Sequence, residues 1–357
     1  MLIDFDSKMC NRNRFAVFIA VVTIFKLVLM ANFTSDYTEK LFMPFVDNFL
    51  QHPLSNPYAD FLQSKGYVAF PYPPLMLLVE SLGGYICKAV GLTAALGSFG
   101  FKLSILIFDF MGMFFLMKLY PKRRKYIGVL YFASPIVMYA AYMHGQLDLI
   151  PTSLLLGAIF YLFSNVKYGD ILFAIFLTAS ILTKLHILAV LPLFVIYLWN
   201  KGDYSKLRNL VLTLLLAMIL MLPFAESTYF WQSILFNNEQ ALLSKVFVKF
   251  VDRHLYLPIF AMAIIYIHIF MLRNINKDLF ISFCGMIFAV FLALLPPMPG
   301  WYIWIVPFIT VFFIVGANNK YKNLYLYAFL NTLYLIYFLT AHSGNYVELY
   351  FQGKEIS

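Results

Sequence analysis

The sequence predicts an all-α, polytopic membrane protein of about eleven transmembrane helices, with interfacial helices in two long outer loops. Three observations lead there. Hydrophobic residues make up 62% of the 357 and charged residues only 12%, where a soluble domain carries about 25% charged. Apolar runs of membrane-spanning length recur along the chain. The cations behind the net charge of +9 gather in short segments between those runs, which points to a membrane surface and away from nucleic acid.

The first apolar run, 14–33, is too long for a signal-peptide core and has no small-residue cleavage site, so it reads as a retained span. Further spans fall near 99–119, 126–143, 147–165, 169–184, 186–200, 208–224, 256–272, 279–296, 302–317 and 322–341. Residues 73–97 are apolar enough to cross as well. A crossing there would put Lys118 and the run Pro121-Lys122-Arg123-Arg124-Lys125 on the outer side, against the positive-inside rule. The segment is therefore expected to lie in the outer interface or to dip partway in.

With that assignment the N-terminal segment and five short loops hold sixteen of the 26 Lys and Arg. The N-terminus is then cytoplasmic and the C-terminus outside. The chain reads as one transmembrane domain over 1–357, with outer loops at about 33–98 and 225–255. In the second loop Leu242, Leu243, Val246, Phe247 and Phe250 recur at helical spacing, with Lys245, Lys249 and Arg253 on another face. That pattern predicts an amphipathic interfacial helix. Cys10, Cys87 and Cys284 show neither pairing nor ligand spacing.

Ionisable residues at membrane depth are costly and mark function by default. On this topology four groups reach one surface: Asp36 and Glu39; His144, Gln146 and Asp148; Lys184 and His186; Arg253 and His254. Blander readings stand beside each. Asp36 could cap a helix, the His144–Asp148 turn could be a polar hairpin, and Lys184 could snorkel to headgroups. Asp109, inside a span, reads as a packing hydrogen bond. No phosphate loop, HExxH or nucleophile elbow occurs. The DxD at Asp4-Phe5-Asp6 has no domain beside it to hold a nucleotide.

The order of these features resembles the GT-C superfamily of polytopic glycosyltransferases, nearest to the dolichyl-phosphate-glucose transferases and their bacterial relatives. Four landmarks carry the resemblance: Ser35-Asp36-Tyr37-Thr38-Glu39, Phe70-Pro71-Tyr72-Pro73-Pro74-Leu75, Phe101-Lys102 through Asp109, and Ser134-Pro135 through His144-Gly145-Gln146-Leu147-Asp148. They cover roughly the first 165 residues, in order. The turn Pro296-Pro297-Met298-Pro299-Gly300-Trp301-Tyr302 departs from the group, lacking the His-Glu-Lys motif of its eukaryotic glucosyltransferases.

The resemblance implies a hexosyltransferase that uses a polyprenyl- or dolichyl-phosphate sugar and acts on a glycan or lipid-linked acceptor at the outer membrane face. Phosphate is a good leaving group, so the chemistry needs one base and stabilisation of the departing anion. Asp36 is the expected base, with inversion at the anomeric carbon. Lys184, His186 and Arg253 are expected at the donor phosphate. Glu39, Tyr37, Tyr72, His144, Gln146, Asp148, Trp301 and Tyr302 are expected at the substrate, with Tyr58 a further stacking candidate. No cofactor is required, although Asp36, Glu39 and Asp148 could gather a divalent metal. The competing expectations are a lipid-linked glycan flippase and a polysaccharide polymerase. A flippase would show internal repeats, which this chain lacks, and a polymerase would show arginine-rich outer loops. The compact chain suggests a prokaryotic plasma-membrane protein.

Overall fold

Twenty-one residues without Gly or Pro, Arg12–Asn32, form the first helix, α1. Its exposed face carries Val17, Val21, Ile24, Phe25 and Val28, as a lipid-facing helix requires. The computed structural model describes residues 12–65, 68–89, 97–272, 274–316, 320–341, 349–351 and 354–355. Cys10 and the Asp4–Asp6 motif lie outside them.

After α1 come a short strand, β1 (Phe33–Ser35), and a π-helical turn, Tyr37–Phe42. Three helices follow: α2 (Met43–Gln51), α3 (Pro57–Lys65) and α4 (Pro74–Ala89). Next is the long α5 (Gly97–Leu119). Helix α4 lies antiparallel along the first half of α5. Ser104 Oγ donates to Glu80 at 2.7 Å, and a Cβ on Gly83 would come within 2.7 Å of the Gly100 carbonyl oxygen. Its other face exposes Leu78, Leu82, Tyr85 and Ile86. At about 1.5 Å per residue, α4 falls short of a ~30 Å hydrocarbon core. The described part of 73–97 is thus one 16-residue helix packed along α5.

The expected spans from 14–33 to 302–317 meet apolar helices that differ in reach, and 322–341 meets the helix Lys320–Ile336, which is more polar. Asn13–Asn32, Ser98–Leu119, Tyr204–Ala225 and Lys277–Leu294 are long and apolar enough to cross alone. Pro121–Phe132 and Pro135–Met143 form a pair bent by 42°, broken where Pro135 starts the second piece. Leu149–Phe163, Gly169–Thr183, Leu185–Lys201, Leu257–Met271 and Pro299–Val315 are shorter. With the fold comparison given below, they mark an integral membrane protein.

Contacts fix the helix directions. A Cβ on Gly112 would meet Ser153 and one on Gly157 would meet Phe115, so α5 and Leu149–Phe163 run parallel. Ser180 Oγ donates to the Pro151 carbonyl at 2.7 Å and Gly157 faces Phe176, so Gly169–Thr183 runs back. Asp36, His144–Asp148 and Lys184 consequently share one end of the bundle. A strand near the C-terminus, Leu349–Phe351, pairs with β1, which brings it to that same end.

Deeper in the bundle, Lys26 of α1 and Asp109 of α5 form a wholly buried ion pair. Tyr142 donates to the same carboxylate at 2.5 Å, and the Lys26 ammonium lies 3.5 Å from the Phe132 ring centre. Asp109 is thus a tie between helices.

One expectation fails in the second outer loop. Leu242–Ser244 is a single 3₁₀ turn, and β2 (Phe247–Phe250) pairs with β3 (Arg253–Tyr256) as a hairpin. Val246, Phe247, Val248, Phe250 and Val251 are β-branched or aromatic, and such residues fit a pleated strand better than a helix. A short apolar run does not separate the two by spacing alone.

Candidate active site

The site is assembled from turns at one end of the bundle. The first tie joins the residues after α1 to the turn after Met143. Ser35 Oγ donates to the His144 carbonyl at 2.6 Å, and Thr38 Oγ1 donates to it at 3.2 Å. Beneath them the fully buried Lys102 donates to the carbonyl of Phe33 and, at 3.4 Å, to that of Met143. Gly145 makes the crossing possible. Its φ is +77°, and a Cβ there would stand 2.3 Å from Thr38 Oγ1 and 3.3 Å from the Lys102 side chain. Two π-helical segments, Tyr37–Phe42 and Met138–Met143, flank the crossing. Such segments are rare and recur at functional sites.

Around this crossing lies a cavity of about 170 Å³. Tyr37, Tyr72, Trp301, Gln146 and Lys184 line it, all expected at the site, together with Asn237, Met298 and the apolar Leu41, Phe42 and Val68. Asn237 comes from the second outer loop. The two loops are docked upon one another: Asn56 Nδ2 donates to the Phe224 carbonyl at 3.0 Å, and Tyr58 meets Phe230 edge-on at 5.2 Å.

Behind the wall sits Asp148, wholly buried, with Lys184 Nζ at 2.7 Å and the Lys184 side chain 12% exposed. Trp304 Nε1 donates to the same carboxylate oxygen. A Cβ on Gly300 would lie 2.4 Å from the second oxygen, Oδ2, so only glycine lets the Pro299–Trp304 turn close over Asp148. Lys184 is thus anchored from behind while its ammonium faces the cavity, 5.2 Å from the Tyr72 ring centre. His144 Nδ1 lies 3.0 Å from Gln146 Nε2 and positions that amide. His186 stacks on Trp304 at 4.0 Å and is half-buried among aromatics, outside the cavity lining.

Asp36 immediately precedes the lining residue Tyr37. Its carboxylate accepts from Lys40 at 2.8 Å, with the two side chains 31% and 64% exposed respectively. Glu39 is exposed on the next turn.

Three expected residues are placed elsewhere. Arg253 stands on the exposed hairpin, outside the cavity lining. Tyr302 packs against Tyr334 and Phe338. Tyr58 is buried, and its hydroxyl donates to the Tyr72 carbonyl at 2.6 Å. Burial pushes its phenol pKa up, and it acts as a strut under the Tyr72 segment. Among the described residues no group of three or more His, Cys, Asp or Glu is placed to hold a metal ion.

The bundle, with its site at one end, can be set beside solved structures. It covers 84% of this chain in a match to ArnT from Cupriavidus metallidurans, in the apo state, with a TM-score of 0.50 at 16% identity. Over the matched part the chain shares the fold of that ArnT structure. It spans 58% of the ArnT chain's length. No family model and no characterised protein matches the sequence.

Proposed function

We propose that the protein is a membrane glycosyltransferase, moving a hexose from a polyprenyl-phosphate carrier to a hydroxyl of a glycan or lipid-linked acceptor. The observation that carries the reading is the cavity. Three aromatic side chains offer faces for a sugar ring, and Lys184, fixed by the buried Asp148, offers one cation at its wall. Asp36 stands beside Tyr37, and its carboxylate accepts from the exposed Lys40 at 2.8 Å. The ArnT-like fold supports the reading at the level of lipid-linked sugar transfer.

In the proposed reaction the acceptor oxygen attacks the anomeric carbon from the face opposite the phosphate. Its proton passes to Asp36 as the new bond forms. The bond between the anomeric carbon and the phosphate oxygen breaks, the electron pair leaves on the phosphate, and the configuration inverts. Lys184 faces the developing charge on the carrier phosphate. The stacking residues Tyr37, Tyr72 and Trp301 and the amides of Gln146 and Asn237 orient the sugar. The reading sets the active site at the outer membrane face, which the cations of the loops at the opposite end support.

The test compares glycans and carrier lipids, by mass spectrometry, from cells with the gene and cells without it. A transferase predicts that one hexose disappears from a glycan while its polyprenyl-phosphate donor accumulates. Accumulation of a complete lipid-linked glycan, with every sugar present, would contradict it and indicate a flippase.

A further inference from the structure

The hairpin β2–β3 takes no part in the cavity. Its register pairs Phe247 with Tyr256, Val248 with Leu255, Lys249 with His254 and Phe250 with Arg253, which leaves Val251 and Asp252 as a two-residue turn. Such turns favour glycine where φ is positive. Val251 stands there instead, with φ at +55°, a strained setting for a β-branched residue. Nothing among the described residues offsets that strain, because Phe250 is 76% exposed and Val251 is 77% exposed. The most apolar corner of the hairpin is also its most exposed one.

Charge and position say what covers it. Lys249 and Arg253 flank the tip and Lys245 stands at the base, with Asp252 the one acid among them. None of the three cations has an ion-pair partner among the described residues. Leu257 N donates to the Val246 carbonyl at 3.0 Å, so the base of the hairpin closes directly onto the helix Leu257–Met271. That helix exposes Ile259, Phe260, Ile264, Ile267 and Phe270, a surface suited to lipid. The hairpin is therefore rooted where a lipid-facing helix begins.

We infer that the hairpin is a membrane anchor: Phe250 and Val251 insert into the leaflet beside the site, and Lys245, Lys249 and Arg253 hold anionic lipid headgroups. An apolar wedge beside unpaired cations is the chemistry that binds an anionic membrane surface. The inference is independent of the transferase reading. It gives Arg253 a lipid to bind in place of the donor phosphate.

The test places a bimane label at Phe250→Cys, and separately at Val251→Cys, with Cys10, Cys87 and Cys284 changed to Ala. The protein is reconstituted in phosphatidylcholine vesicles with and without phosphatidylglycerol. The label should lose most of its fluorescence to lipids carrying a shallow nitroxide and resist aqueous iodide. Changing Lys245, Lys249 and Arg253 to Gln should weaken the preference for anionic vesicles by about fivefold per charge. Wild-type protein gives a second readout, because trypsin should cut after Lys249 and Arg253 in detergent and be blocked in anionic vesicles. Iodide quenching without nitroxide quenching, or equal cleavage in both settings, would overturn the anchor. Protection from both quenchers, with cross-linking between two copies, would overturn it in favour of a protein interface.

Discussion

Two carboxylate–lysine pairs stand at the site end of the bundle, and they are built differently. Asp36 and Lys40 lie one helical turn apart on the same segment, 2.8 Å from each other, with the lysine exposed and the carboxylate half-buried. Asp148 and Lys184 come from the ends of different helices, meet at 2.7 Å and are almost wholly enclosed. A partly exposed pair contributes about 0–1 kcal/mol. Breaking a buried one by removing one partner costs about 3–5 kcal/mol, so Lys184 is held in place. A base must be free to take a proton, while a cation that meets a departing phosphate must already be positioned. The two pairs suit these two tasks.

The largest effect on stability is expected at the enclosed pair. Asp148→Ala should destabilise the protein by about 3–5 kcal/mol, read as a lower unfolding temperature in detergent. A wild-type transition would mean that Lys184 does not depend on Asp148. Next comes Lys184→Met. Losing a hydrogen bond to a charged group, about 1.5–3 kcal/mol, should weaken binding of polyprenyl monophosphate by one to two orders of magnitude in a titration. Unchanged affinity would remove Lys184 from the phosphate. Gly300→Ala should cost about 1–3 kcal/mol through overpacking against Asp148, visible in the same melting measurement. Lys40→Gln is the smallest. It should shift stability by less than about 1 kcal/mol, and a shift the size of that at Asp148 would erase the contrast between the pairs.

Much of this arrangement was legible in the sequence. The span ranges follow from apolar runs and the placement of cations. Tyr37, Tyr72, Gln146, Lys184 and Trp301 could be grouped because they fall in turns at one end of a topology that alternates. What stayed hidden depends on side-chain direction. In the 3₁₀ turn Pro299–Trp304, residues three apart share a face. Trp301 and Trp304 therefore stack at 5.1 Å, towards the cavity and Asp148, while Tyr302 turns to Tyr334. Trp304 could have been found by that spacing. Asn237 could not, because it reaches the cavity only through the docking of the two outer loops. The hairpin was misread because Leu242, Leu243, Val246, Phe247 and Phe250 satisfy a helical spacing, although the β-branched and aromatic residues of 246–251 favour a strand. Lys26, a lone cation within the first span, did carry a signal, and a buried acidic partner in a neighbouring span was its natural complement.

The most direct test of the catalytic assignment is the glycan profile of gene-deleted cells that express Asp36→Asn at wild-type level. Asparagine keeps the size of the side chain and cannot accept the proton, so transfer should fall by about two to four orders of magnitude. The account predicts that the missing hexose stays missing and the donor lipid accumulates, although the variant folds and still binds polyprenyl monophosphate. Full restoration of the wild-type glycan would show that Asp36 is not the base and contradict the proposed mechanism.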